Sequence, residues 1–199
     1  MLPTLYLIRH GETKWSREGR HTGITDLALT IRGEAMARDL AQWLAEVPFA
    51  QVLTSPMARA VQTCELAGLG VRAEVAADLS EWNYGDYEGR SSADIGREAP
   101  GWNVFRDGCP NGEMPDEVSA RADRLIARLL AVNGNVALFS HGQFGCALAA
   151  RWIGLAVIEG QHFALDAASV SILGPKPGHP MTPVISQWNN MPSTRFHRR

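Results

Sequence analysis

Leu5-Tyr6-Leu7-Ile8-Arg9-His10-Gly11-Glu12 is the stretch whose reading decides the fold. An aliphatic and aromatic run stops at a basic pair followed by glycine, the pattern of a buried strand that delivers polar side chains to a strand-to-loop edge. In α/β proteins that edge is where ligands bind. The guanidinium fork of an arginine can grip two oxygens of a phosphate, and a neutral imidazole nitrogen can attack phosphorus. The tetrapeptide Arg9-His10-Gly11-Glu12 reads equally well as a strand end whose polar residues merely solvate a loop, so the rest of the chain must discriminate.

Working outward, Asn135 to Ser140 repeats the opening pattern and also ends in His-Gly, at His141-Gly142. Ala50 to Ser55 is a further short strand, and Ser55-Pro56 predicts an N-cap with proline at the first position of a helix from Met57 to Leu66. That helix carries Arg59 in its first turn, where free N–H groups and the helix dipole favour an anion. Val71 to Val75 reads as another strand. Met36, Leu40, Trp43, Leu44 and Val47 recur at helical spacing within Leu27–Val47, with Thr30 as N-cap, after a polar loop from Thr13 to Asp26. Asp116 to Val132 is the clearest amphipathic helix, with Arg121, Arg124 and Arg128 expected on its wet face. A helix through Ala147 to Trp152 and late strands at Ala168–Gly174 and Pro183–Trp188 follow, the latter expected as a hairpin across Pro175 to Pro183.

Strands alternating with helices predict an α/β protein, a three-layer α/β/α sandwich with a mostly parallel central sheet. A single domain over 1–199 is expected, with a lid-like excursion over about 90–115, anchored by Trp102 and Phe105, and a flexible tail at 190–199. The chain has 199 residues, 45% of them hydrophobic, and a formal net charge of −2. No overall positive field exists to hold nucleic acid or an anionic membrane surface, so any anion site must be built locally. No apolar stretch approaches the roughly 18 residues that span a bilayer, and a cytoplasmic location is expected by default. Three widely spaced cysteines, Cys64, Cys109 and Cys146, argue against a disulfide framework or a zinc site.

Three strand ends thus present Arg9 with His10, Arg59 through its helix, and His141. In a parallel sheet these edges lie on one side, so the four side chains can converge. Two arginines and two histidines around one point call for an anion; opposite unit charges about 4 Å apart gain on the order of 4 kcal/mol at an effective dielectric of 20. An attacking His10 should present a neutral tautomer, its other ring nitrogen donating to a backbone carbonyl. The leaving oxygen then needs a proton donor that neither the arginines nor His10 can be, and Glu81, in the acidic and aromatic loop Leu79 to Gly89, is the candidate.

Together these motifs resemble a known family. Arg9-His10-Gly11-Glu12; Thr22-Gly23 with Asp26 and Leu29-Thr30; Ser55-Pro56 with Arg59 and Gln62-Thr63; Glu81 with Tyr84-Gly85 and Glu88-Gly89; and Ser140-His141-Gly142 match the histidine phosphatase superfamily in order and spacing. The resemblance runs from about Leu5 to Trp152. It implies that His10 becomes phosphohistidine, that Arg9, Arg59 and His141 hold the phosphoryl oxygens, and that Glu81 is the general acid and then the base for water. Ser16, Thr22, Gly23, Tyr84, Gly142 and Gln143 fall where members of the family touch phosphate or the substrate body. Ser16, Thr22 and Tyr84 also read as ordinary loop residues. Trp102-Asn103, Arg106-Asp107-Gly108-Cys109 and Asn111-Gly112-Glu113 look like the branch of acid phosphatases and sugar bisphosphatases. The paired arginines and proline run of phosphoglycerate mutases are absent. Relatives often carry a histidine and a nearby arginine where this chain has Gln143-Phe144-Gly145-Cys146, which weakens the case for a second substrate phosphate.

The expected activity is metal-independent hydrolysis of small phosphomonoesters such as sugar phosphates, with no cofactor and no metal. A phosphoglycerate mutase-type phosphotransferase and a non-catalytic phospho-ligand-binding module are the alternatives. Expected partners are a phosphate ester and, at most, a second copy of the chain. Gly68-Leu69-Gly70-Val71-Arg72-Ala73 fits a dinucleotide fingerprint but follows a helix and leads into a strand, the reverse of the required order. His21, His162, His179 and His197 show no metal-ligand spacing and read as surface or core histidines.

Overall fold

The computed structural model describes residues 1–191. The first half of the chain forms β1 (Thr4–Arg9), α1 (Lys14–Arg17), α2 (Ile31–Leu44), β2 (Phe49–Thr54), α3 (Ala58–Leu66) and β3 (Ala73–Val75). The second forms α4 (Ser92–Glu98), α5 (Val104–Asp107), α6 (Pro115–Leu129), β4 (Asn135–Ser140), α7 (Gly142–Trp152), β5 (Val170–Lys176) and β6 (His179–Asn190). The strands make one mixed sheet in the order β3-β2-β4-β1-β5-β6, parallel as far as β1 and antiparallel over β5 and β6.

Period-two alternation along the buried strands assigns the two faces. Leu5, Leu7, Leu53, Val136 and Leu138 pack with Leu125 and Leu129 of α6 and Phe144 and Leu148 of α7. Ile8, Val52, Ala137 and Phe139 pack with Leu40 and Leu44 of α2 and Cys64 of α3. All these side chains are buried, and the three layers follow from them. Among the described residues no helix is long and apolar enough to cross a membrane.

The register sets the site. Arg9 lies opposite Ser140, and Ile8 and Thr54 both lie opposite Phe139, so β1, β2 and β4 end at one level. The chain leaving His10 is pressed against the first turn of α2. A Cβ on Gly11 would lie 2.5 Å from the carbonyl oxygen of Gly33, and one on Gly33 would lie 2.1 Å from that of Glu12. Only two glycines allow that approach.

Several expected boundaries shift for identifiable reasons. The polar loop contains the one-turn helix α1, because Thr13 and Ser16 exchange hydrogen bonds in a capping box. Helix α3 is capped at Met57 rather than Ser55, and the carboxylate of Asp26 accepts from the Ala58 N–H at 2.7 Å, so the anion at this helix start comes from the chain itself. Helix α7 starts at Gly142, ahead of the expected Ala147. Arg121 is buried rather than wet, whereas Arg124 and Arg128 remain exposed and pair with Asp78 and Glu74. The hairpin strands run further than expected, to Lys176 and from His179, and Pro180 and Pro183 are tolerated because β6 is an edge strand. Asn190 pairs with Val170 and belongs to the sheet rather than to a tail. The rest of the expected tail from 192 onward, His197 included, lies outside the described residues.

Candidate active site

A cavity of about 440 Å³ opens at this shared strand edge, a size suited to a small ligand. Arg9, His10, Ser16, Thr22, Glu81, Tyr84, Gly142 and Gln143 line it. Arg59, His141 and Gly23 do not; they pack behind its wall.

His10 is 4% exposed, and its Nδ1 lies 2.7 Å from the carbonyl oxygen of Gly11. A carbonyl only accepts, so Nδ1 carries the proton and Nε2 keeps its lone pair. Burial, then the charges of Arg59 and Arg9, hold the imidazole pKa well below its usual value, opposed by the Gly11 hydrogen bond. The ring is therefore neutral and nucleophilic at neutral pH. Its loop is pinned from α3, where Thr63 Oγ1 accepts from the Gly11 N–H at 3.0 Å and donates to the Arg59 carbonyl at 2.7 Å.

Arg9 donates from Nη1 to the Leu165 carbonyl. Its Nε is the single fully buried side-chain polar atom without a hydrogen-bond partner among the described residues. A buried guanidinium N–H without an acceptor is costly, and Arg9 also lines the cavity, where an oxyanion would balance its charge.

Arg59 is fully buried. Nη1 donates to Thr25 O at 3.0 Å, and Nη2 to Thr22 O at 3.1 Å and Gly23 O at 2.9 Å, while Nε donates to His141 Nδ1 at 3.2 Å. The same loop is held from its N–H side by the Glu88 carboxylate, which accepts from Gly23 and Thr25. Gly23 is thus spent on structure. Because His141 Nδ1 accepts from Arg59, its Nε2 carries the proton, and it donates to Ser55 Oγ at 2.7 Å. Burial first and Arg59 next keep the His141 pKa well below the ordinary value.

Glu81 sits at the N-terminus of α7. Oε1 accepts from the Trp82 and Phe144 N–H groups at 2.9 and 2.7 Å, and Oε2 accepts from Gln143 N–H at 3.0 Å. Three of roughly four acceptor positions of the carboxylate are filled, which leaves one on Oε2 for a proton. Arg121 fixes the loop from behind, donating to Ser80 O and Glu81 O at 2.6 and 3.3 Å and, through Nε and Nη2, to both carboxylate oxygens of Glu113. Its guanidinium lies 4.3 Å from the Phe144 ring centroid, so one side chain ties the Glu81 loop to the helix that receives the carboxylate.

The remaining candidates are less uniform. Ser16 Oγ is engaged in the α1 cap, and the Thr22 hydroxyl donates to Arg20 O at 3.3 Å. Tyr84 is buried with its phenol pKa pushed well up by burial. Residues missed in the sequence are Ser55, Arg121 and His21. Ser55 looked like a cap and Arg121 like one of three equivalent surface arginines. His21 stacks on Tyr84 at 4.6 Å and lines the cavity. The adjoining Cys146 thiol is pushed up to about 12 by burial and stays protonated. Among the described residues there is no group of three His, Cys, Asp or Glu that could hold a metal ion.

The family model for the histidine phosphatase superfamily (branch 1) matches residues 5–191. The chain belongs to this superfamily. An acid phosphatase of Mycobacterium tuberculosis is 42% identical over 174 residues, 85% of either chain. The sedoheptulose 1,7-bisphosphatase of Saccharomyces cerevisiae is 35% identical over 190 residues, covering 79% of this chain and 70% of its own. The solved structure of a Mycobacterium tuberculosis open reading frame superposes with a TM-score of 0.88 at 37% identity, covering 96% of this chain and 98% of its own.

Proposed function

We propose that this phosphatase works on small phosphomonoesters, sugar phosphates among them, in two steps through His10. Nε2 attacks phosphorus as the P–O bond to the alcohol breaks, and Glu81 passes its proton to the departing oxygen. The Glu81 carboxylate then takes a proton from water; the water oxygen attacks phosphorus, the P–N bond breaks, and inorganic phosphate leaves. Arg9, which lines the cavity, holds the phosphoryl oxygens with its guanidinium. Arg59 and His141 act from beneath: the N–H groups of Arg59 hold the 22–25 loop, while its charge, felt at His10 more strongly than that of Arg9, favours the transferring anion. The observation that carries this reading is that Arg9, a His10 held with its proton on Nδ1, and Glu81 line one cavity.

A mutase must shield its phosphoenzyme from water with added cations over the pocket. Here Arg90, Arg97 and Arg106 pair with Glu98, Asp94 and Asp107 and do not line the cavity, and the one added arginine that does, Arg20, is paired with Glu18 at 3.4 Å. Water should win. The test is a hydrolysis screen over sugar phosphates, phosphoglycerates and phosphoamino acids. With 3-phosphoglycerate, with and without 2,3-bisphosphoglycerate, free phosphate should exceed 2-phosphoglycerate; efficient isomerisation with little phosphate release would overturn the reading.

A further inference from the structure

Beside the catalytic cavity lies a second one of about 260 Å³, and the two share His21, Ser92, Gln143 and Phe163 as a common wall. Gln143 sets the direction between them. Its N–H holds the Glu81 oxygen that carries the transferable proton, so a leaving-group oxygen at Glu81 lies next to Gln143, and the alcohol attached to it continues along the shared wall. The rest of the second cavity is formed by Trp102, Asn103, Val104, Phe105 and Gln161.

Among the described residues no arginine, lysine, aspartate or glutamate lines this second cavity. Its polar groups are neutral: Asn103 Nδ2 donates to Gln161 Oε1 at 2.7 Å, and His21 Nε2 lies 3.0 Å from Ser92 Oγ. The Trp102 ring is fixed by its N–H bond to Gly108 O at 2.8 Å and meets His21 edge-on at 5.3 Å. Amides, a hydroxyl and a rigid indole face suit the alternating O–H and C–H surface of a sugar. A second phosphate placed here would be a dianion without a cationic partner, which is costly to desolvate.

We propose that this second cavity is the leaving-group subsite and takes an uncharged, hydroxyl-rich alcohol, a sugar or polyol, so that a monophosphate is preferred over the matching bisphosphate. The proposal rests on the phosphatase reading of the first cavity. Gln161 is the residue to test, because it is exposed at the end of a short 3-10 turn and its replacement spares the core.

The experiment measures kcat and KM of the full chain, with and without Gln161→Ala and Gln161→Arg, on phenyl phosphate, a hexose 6-phosphate and the corresponding hexose 1,6-bisphosphate. Wild type should favour the monophosphate over the bisphosphate by about tenfold or more in kcat/KM. Gln161→Ala should lower the hexose-to-phenyl ratio by about tenfold, mainly through KM, as expected for one lost hydrogen bond. Gln161→Arg should shift the preference toward the bisphosphate by a similar factor. With phenyl phosphate cleaved, a wild-type preference for the bisphosphate, or ratios unmoved in both variants, would overturn the subsite alone. No phosphate release from any of the three would overturn the phosphatase reading and the subsite with it.

Discussion

Strands β1 and β4 are parallel neighbours in register, and each ends in a histidine followed by glycine. Their histidines, with ring centroids 5.2 Å apart, nevertheless take opposite states. His10 gives its Nδ1 proton to a carbonyl and turns a bare Nε2 to the cavity; His141 accepts at Nδ1 from Arg59 and spends its Nε2 proton on Ser55. The same motif therefore leaves one imidazole with its Nδ1 proton on a backbone carbonyl beside the cavity and the other with both ring nitrogens bound to side chains. What separates them is the partner of the other ring nitrogen, a backbone carbonyl in one case and a guanidinium in the other.

The largest expected effect breaks this asymmetry. His10→Ala should lose turnover by at least about 10³-fold, down to background, because it removes the proposed nucleophile. His141→Ala should instead keep slow hydrolysis of an aryl phosphate, with a loss on the order of 10²-fold. Equal losses in steady-state assays would mean the two histidines act as one unit. Next, Glu81→Gln should slow cleavage of sugar phosphates by about 10²- to 10⁴-fold but that of an aryl phosphate far less, since an aryl oxide leaves without a proton. A uniform small loss would make Glu81 a structural residue.

The supports behind the two strands can be separated as well. Arg121→Met leaves the Glu113 carboxylate unpaired, and Arg121 is only 8% exposed, so a stability loss of about 3 kcal/mol is expected in urea titrations. An unchanged midpoint would show that the ion pair with Glu113 adds nothing. The smallest effect is one histidine's share of the pH dependence of stability. His10 and His141 titrate below 6.5 in the folded state, and His21 at about 4 because of burial, so between those values and 6.5 the unfolded chain binds more protons. Stability should be full above pH 6.5 and fall on acidification, by up to about 1.4 kcal/mol per pH unit for each group. His10→Ala should flatten that slope in phosphate-free buffer; an identical slope would place the proton uptake elsewhere.

Much of this was legible because strands and their ends carry local signals. Leu5 to Ile8 and Val136 to Phe139 announce buried strands, and the polar residues that follow fall at one edge by topology alone. Partnership across the fold was not legible. Asp26 caps α3 from 32 residues away, and Ser55 carries a helix-cap signature yet serves His141. Arg121 shares a helical repeat with Arg124 and Arg128, and only the packing of α6 against the Glu81 loop turns it inward. The relevant information is long-range, and no window of sequence contains it.

The central claim is that the phosphoryl group rests on His10 and not on its neighbour. The most direct test is to quench the enzyme during turnover of ³²P-labelled substrate, preserve the acid-labile adduct at alkaline pH, and map it by peptide mass spectrometry in wild type, His10→Ala and His141→Ala. Label on His10 Nε2 in wild type and in His141→Ala, and none in His10→Ala, is the expected result. Label on His141, or label that survives His10→Ala, would contradict the account.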